Sequence, residues 1–375
     1  MKAAKLICNN QALTNNSPIR VAVVGAGAFG RNHARVYREL QQQGEGVELA
    51  GIVDRDAARA QAVAAPLGTA AFASVEEMIA QVCPQAASVA VPTVAHLDVA
   101  RVLMEAGVDT LIEKPLAPSL AEADELIRLA GRHQRIAQAG HLERFNPAVR
   151  ATLPLITRPM FFEVHRLSVF TPRALDVDVV LDLMIHDLDI VLALVNSPVK
   201  EIRAVGLPIL SGKVDIANVR MEFESGCVAN FTASRVSTER VRKLRFFQPR
   251  QYISVDYTRQ DVLVFSVDMA EAAMAGLANR PGGTTLLAGG GGTAPGALGA
   301  LIKPLKPAVE PQEPLAAELR SFLDAVRRRA KPLVPLEDGR RALAVALDIL
   351  AAIAQHSRRV NLESLLQQPA AGQKA

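Results

Sequence analysis

Ile19-Arg20-Val21-Ala22-Val23-Val24-Gly25-Ala26-Gly27-Ala28-Phe29-Gly30 is the stretch that decides the fold. An apolar strand runs into Gly-x-Gly-x-x-Gly, and a helical pattern, Phe29–Gln42, follows it. In that setting Gly25 permits a tight turn, Gly27 lets the backbone approach a pyrophosphate, and Gly30 lets the helix pack closely. The helix start at Ala28 and Phe29 adds unpaired N–H groups and a positive dipole end for phosphates. Taken alone, this spacing is a coin toss against an ordinary turn. The rest of the chain gives it weight.

Working outward, short apolar runs at Arg20–Val24, Glu48–Val53, Ala86–Val91, Thr110–Glu113 and Ile136–Ala139 read as strands, with Ala70–Phe72 as a short addition. Amphipathic helices lie between them, notably Val94–Glu105 and Ser119–Arg132. Strands alternating with helices imply an α/β domain with a doubly wound parallel sheet. After Gly140 the texture changes. Asp176–Val195 reads as one apolar helix, followed by strands at Val199–Val205, Val214–Phe223, Cys227–Ser234, Lys243–Phe247 and Tyr252–Tyr257. Strands in succession point to an α+β domain with a large, mainly antiparallel open sheet. Helices near Pro314–Arg329 and Asp338–Gln355 close it, and the glycine-rich Gly282–Gly292 reads as a flexible loop. The expected organisation is a tail at 1–18, a dinucleotide-binding domain at 19–142, an α+β domain at 143–357 and a tail at 358–375.

The chain is 375 residues long, half apolar, with a net charge of +4, enough for two cores and without a strong charge bias. Its basic clusters, Arg240–Arg245 and Arg327–Arg329, carry no interleaved aromatics, which argues against nucleic-acid binding. Cys8, Cys83 and Cys227 show no paired spacing, so neither a disulfide framework nor a zinc site is expected, and a reducing cytoplasm is. No secretory signal or membrane span is legible.

Asp54 ends the second strand, where a carboxylate accepts from ribose hydroxyls and repels a 2′-phosphate; NAD is expected over NADP, with Arg55 as the complication. The competing reading makes Asp54 the cap of the next helix. Pro92, Thr93 and His96 leave the Ala86–Val91 strand toward the same crevice, although Thr93 also suits a helix cap. Glu113-Lys114-Pro115 ends a further strand. Strand alternation sends Glu113 and Lys114 to opposite faces, which leaves the lysine available to a substrate hydroxyl. A strand-ending surface lysine is the bland alternative. Asp178, Asp182, His186 and Asp189 fall on one stripe about 80° wide if their helix is regular. Short acids and a histidine suit a pocket wall better than open solvent. Asp182 and His186 are four residues apart, so the carboxylate can orient the imidazole as a base, with Lys114 polarising the reacting oxygen. No metal is expected.

Together these motifs resemble the glucose–fructose oxidoreductase, inositol dehydrogenase and MocA family, over roughly Arg20 to Ser357. The resemblance implies a Rossmann domain, Lys114, Asp182 and His186 as the catalytic set, a cis Lys114-Pro115 bond, and a homodimer or homotetramer formed through the second sheet. Gly140–Pro147, Asp182–Asp189 and Gly226–Arg235 look like the branch acting on nucleotide sugars, in which bacteria make 3-keto sugars for lipid A. That likeness implies Arg144, Asn146 and Arg235 at the substrate, either arginine being equally suited to a structural ion pair. A free-sugar or inositol dehydrogenase and a non-catalytic NAD-binding sensor are the rival readings. Leu183 stands where the family often has glycine.

Overall fold

The computed structural model describes residues 17–171, 177–267 and 302–362. The expected loop at 282–292 and the last thirteen residues of the expected tail lie outside them. The α-helices are α1 (Ala28–Gln42), α2 (Ala57–Leu67), α3 (Val75–Val82), α4 (His96–Glu105), α5 (Leu120–His133), α6 (Pro147–Thr152), α7 (Ile185–Val195), α8 (Pro314–Arg328) and α9 (Leu336–Arg359). Two compact units divide the chain. The first takes residues up to Asn146 with Val180–Ile190 and Gln312–Leu350; the second takes Pro147–Val179, Val191–Pro311 and the residues from Ala351 on.

In the first unit six strands, β1 (Ile19–Val24), β2 (Val47–Val53), β3 (Ala70–Phe72), β4 (Ala86–Val89), β5 (Asp109–Glu113) and β6 (Ala137–Gly140), lie in the order β3-β2-β1-β4-β5-β6. All pairs are parallel. The order reverses direction between β1 and β4, and ligands of such sheets collect beyond the strand ends at that reversal. Continuous burial of β4, β5 and β6 is what a sheet covered on both faces requires. Alternation divides the cover: Leu111 packs with Tyr37, Leu319 and Phe322 from α1 and α8, whereas Ile112 packs with Leu103 and Leu126 from α4 and α5. Ser74 and Ser119 cap α3 and α5 by accepting the Glu77 and Glu122 amides. Cys83, at the end of α3, is disulfide-bonded, against the expectation of unpaired cysteines.

The second unit holds β7 (Phe161–Val169), β8 (Val199–Leu207), β9 (Ile216–Phe223), β10 (Val228–Ser237), β11 (Val241–Gln248), β12 (Gln251–Asp256), β13 (Asp261–Val267) and β14 (Ile302–Leu305), ordered β14-β13-β12-β11-β7-β10-β9-β8. The pairings are antiparallel except β7 with β10. Phe162, Val164, Phe231, Phe246 and Ile253 form its buried face. On the other face Phe161, Phe247, Tyr252 and Phe265 stack across four strands, with centroids 5.1–5.9 Å apart.

Asp215 organises the turn between β8 and β9. Its Oδ2 accepts the amides of Ile209, Leu210 and Ser211 at 2.6–2.8 Å, and its Oδ1 the Ser211 hydroxyl at 2.7 Å. Burial alone would raise this carboxyl, but the Ser211 hydroxyl and the three amides outweigh it and hold it at about 2. Its stabilisation is therefore present above the unfolded value near 3.9 and lost as pH falls toward 2. In denaturant titrations D215N is expected to lose about 1–3 kcal/mol at neutral pH. The gap to wild type should close through that acid window, and a gap that persists at its lower end would count against this role.

Candidate active site

A cavity of about 690 Å³ opens at the C-terminal ends of β1, β2 and β4. Gly25, Gly27, Ala28, Phe29, Asp54, Arg55 and Pro92 line it. The three glycines divide their work as the spacing requires. Gly25 has φ +103° and no room for a side chain against the Ala90 carbonyl; a Cβ on Gly30 would overlap the Gly25 carbonyl. Gly27 caps α1, and a Cβ there would meet nothing within 4 Å. Open space in front of a helix N-terminus is what a pyrophosphate requires, so the residues present fit a dinucleotide.

Asp54 is tied into this cradle. Its Oδ2 accepts from the Ala26 amide at 2.8 Å and its Oδ1 from the Asp56 amide at 2.9 Å. The helix cap is Asp56, which accepts the Arg59 amide at 3.1 Å. Thr93 opens a single 3-10 turn, Thr93–Ala95, and neither it nor His96 lines the cavity. His96 is buried, with its ring nitrogens 3.2 Å from the Leu116 carbonyl and 3.0 Å from that of Val91. It joins the loop after β4 to the loop after Lys114, and burial pushes its pKa down.

β5 delivers Glu113 and Lys114 in opposite directions. The Glu113 carboxylate turns into the sheet, where His33 Nε2 lies 2.9 Å from Oε1 and the Lys114 amide donates to Oε2 at 3.2 Å. Burial would raise this carboxyl, but the bond to His33 and the nearby positive charges lower it overall. Gly140, paired with Glu113 on β6, leaves the space that the carboxylate fills; a Cβ there would lie 3.2 Å from Cδ and Oε1. The Lys114-Pro115 peptide is cis. Lys114 Nζ donates to the Asp182 backbone carbonyl at 2.8 Å, lies 3.4 Å from Asp182 Oδ1, and sits 5.8 Å from the Phe29 ring centre.

The helix bearing Asp182 and His186 is not the regular cylinder expected. Val180–Met184 is a π-helical turn, and α7 begins only at Ile185. The wider turn breaks the 3.6-residue phase on which the four-residue stripe depended. Asp178 lies outside any helix and accepts the Val214 amide at 2.9 Å, while Asp176 is outside the described residues. Asp189 is buried and receives Arg144 at 2.6 and 2.8 Å. Arg144 also reaches Asp338 at 3.1 Å, and Asn146 donates to Glu143 at 3.2 Å. In the second unit Arg235 donates to the Val177 carbonyl and lies 3.6 Å from Asp215. All three residues expected at the substrate thus have partners in their own unit. Lys114 and Asp182 do come together, with His186 four residues farther along the same segment and 9% exposed.

Sequence reasoning passed over His33, His141 and Glu318, all buried. Nothing local marks a histidine or glutamate as internal on an amphipathic helix or a strand end.

Residues 19–141 match the oxidoreductase family with an NAD-binding Rossmann fold, and residues 158–254 match the GFO/IDH/MocA C-terminal domain. Over 336 residues, 89% of this chain and 97% of the relative, the sequence is 36% identical to UDP-N-acetylglucosamine 3-dehydrogenase of Acidithiobacillus ferrooxidans. The chain belongs to the GFO/IDH/MocA family. It is an NAD-dependent oxidoreductase related to that dehydrogenase. A solved structure of the Acidithiobacillus enzyme superposes with TM-score 0.76 at 34% identity, covering 90% of this chain and 98% of that one. The myo-inositol 2-dehydrogenase of Lactobacillus plantarum, at 18% identity and TM-score 0.70 over 91% and 98%, shares the fold.

The cradle gives a graded expectation. G27A should fold and lose at least about tenfold in NAD affinity, because its methyl group enters the phosphate space. G30A should fail to fold stably, since backbone is in the way. Calorimetry with NAD and thermal unfolding read the two effects, and equal NAD affinity in G27A would refute the placement.

Proposed function

We propose that this protein oxidises the 3-hydroxyl of UDP-N-acetylglucosamine to the 3-keto nucleotide sugar. The supporting observation is 36% identity across 97% of a relative with that named activity. Gly25–Gly30 and Asp54 would hold NAD, which when bound would supply the acceptor for the carbon-bound hydrogen. Lys114 donates a hydrogen bond to the reacting oxygen, and His186 takes its proton, so the C–H pair leaves as hydride while the O–H proton stays on imidazole. Asp182 holds the lysine through its carbonyl and carboxylate. A histidine titrates near working pH, whereas a lysine base would need its ordinary value of about 10.4 lowered by roughly three units. That difference assigns the base to His186 and the donor to Lys114. An enzyme drawing on NAD and a UDP-sugar works in the cytoplasm, where both are made.

The half-exposed aromatic row Phe161, Phe247, Tyr252 and Phe265 supports a homodimer or homotetramer built on the outer face of the second unit's sheet. Sedimentation equilibrium should give twice or four times 40.1 kDa. A 40.1 kDa particle would contradict it.

The activity test mixes the protein with NAD and candidate sugars and follows reduced nicotinamide by absorbance. Turnover with UDP-N-acetylglucosamine and none with inositol is expected, and K114M should reduce kcat by roughly 10²–10⁴-fold. Turnover with inositol alone would make it a free-polyol dehydrogenase; NAD binding without any turnover would make it a sensor.

A further inference from the structure

Beneath the catalytic end of β5 lies a buried polar layer that the reaction above does not use. Ser88, Leu111 and Gln138 are neighbours across β4, β5 and β6, and Glu113 and Gly140 are the next pair on the same face. α1 and α8 cover that face, α1 contributing His33 and Tyr37 and α8 contributing Glu318. Tyr37 is partnered by Ser88 at 3.0 Å and His33 by Glu113 at 2.9 Å. Glu318 is wholly inaccessible, and neither of its oxygens has a partner among the described residues. The same holds for both amide atoms of Gln138 and for His33 Nδ1. Buried polar atoms in such number are ordinarily bridged by ordered water.

We propose that Glu318 is a positioning residue: a buried acid that donates, through ordered water, to the Glu113 carboxylate and so steadies the strand end that carries Lys114. The charges acting on Glu318 are both negative, Glu113 from β5 and Asp189 from α7. Tyr37 and His33 are buried residues of α1, which packs against α8, and His141, Glu143 and Arg144 stand at the turn against which α8 also packs. Burial and the two carboxylates push its pKa well up. An ionised Glu318 would be one more buried anion, whereas the acid form brings a donor to the layer that holds the Glu113 carboxylate. A neutral carboxylic acid kept as a donor beside reacting groups is an established catalytic arrangement.

Two variants test this, and the test rests on the oxidoreductase reading only for its kinetic arm. E318M keeps the volume but loses the donor; it should fold with an undiminished Tm. Its kcat should fall about tenfold, as for one charge-assisted hydrogen bond, with the KM for NAD unchanged. E318Q keeps a donor and should restore kcat to within about threefold. Because the folded state alone keeps the Glu318 proton, wild-type stability relative to E318Q should fall as pH rises above the usual carboxylate range. E318M with wild-type kcat, or E318Q as slow as E318M, overturns the proposal. If E318M does not fold, or if no sugar is turned over even by the wild type, the pH dependence decides. Wild-type stability relative to E318Q that stays flat as pH rises above the usual carboxylate range overturns it, and a fall supports it.

Discussion

One hydrogen bond, from the Lys114 ammonium to the backbone carbonyl of Asp182, fastens the end of a parallel strand to a distortion in a helix. In an uninterrupted α-helix an interior carbonyl is taken by the amide four residues on, and it has little to offer a side chain. The π-turn at Val180–Met184 alters that pattern where the lysine arrives. A carbonyl can only accept. It therefore fixes the Lys114 amino group in place at the strand end. The position of the lysine thus traces back to backbone geometry.

The second constraint runs through the other face of the same strand. Glu113 points away from Lys114 and into the sheet, where Gly140 makes room and His33 provides a partner. A buried carboxylate is tolerated only when it is paired and hydrogen-bonded, and here both conditions are met. The tripeptide Glu113-Lys114-Pro115 thus joins an internal anchor to the lysine that meets Asp182, one residue apart in the chain.

The first unit was legible because its signals are local. Strand and helix alternate along it, the glycine spacing sits on its strand–helix junction, and Asp54 follows β2 and accepts the Ala26 amide of that junction. Signals that depend on phase or on distant partners were not. The Asp/His stripe assumed a constant 3.6-residue turn, but the segment opens with a π-turn and Asp178 stands before it. Asp189 answers Arg144, whose other partner Asp338 is 194 residues away in sequence. β7 alternates as a strand should, yet it was missed, and its parallel pairing with β10 spans a long connection that no short window reveals. Glu318 sits on an amphipathic helix with the composition of a surface helix, and only the folded chain shows it inside.

The dependence of kcat/KM on pH in K114M and H186N tests the account most directly. With His186 as base and Lys114 as donor, wild type and K114M share an acidic limb in the histidine range, K114M at a lower plateau, and H186N lacks that limb. A limb that survives in H186N and vanishes in K114M would hand the proton to the lysine and contradict the proposed assignment.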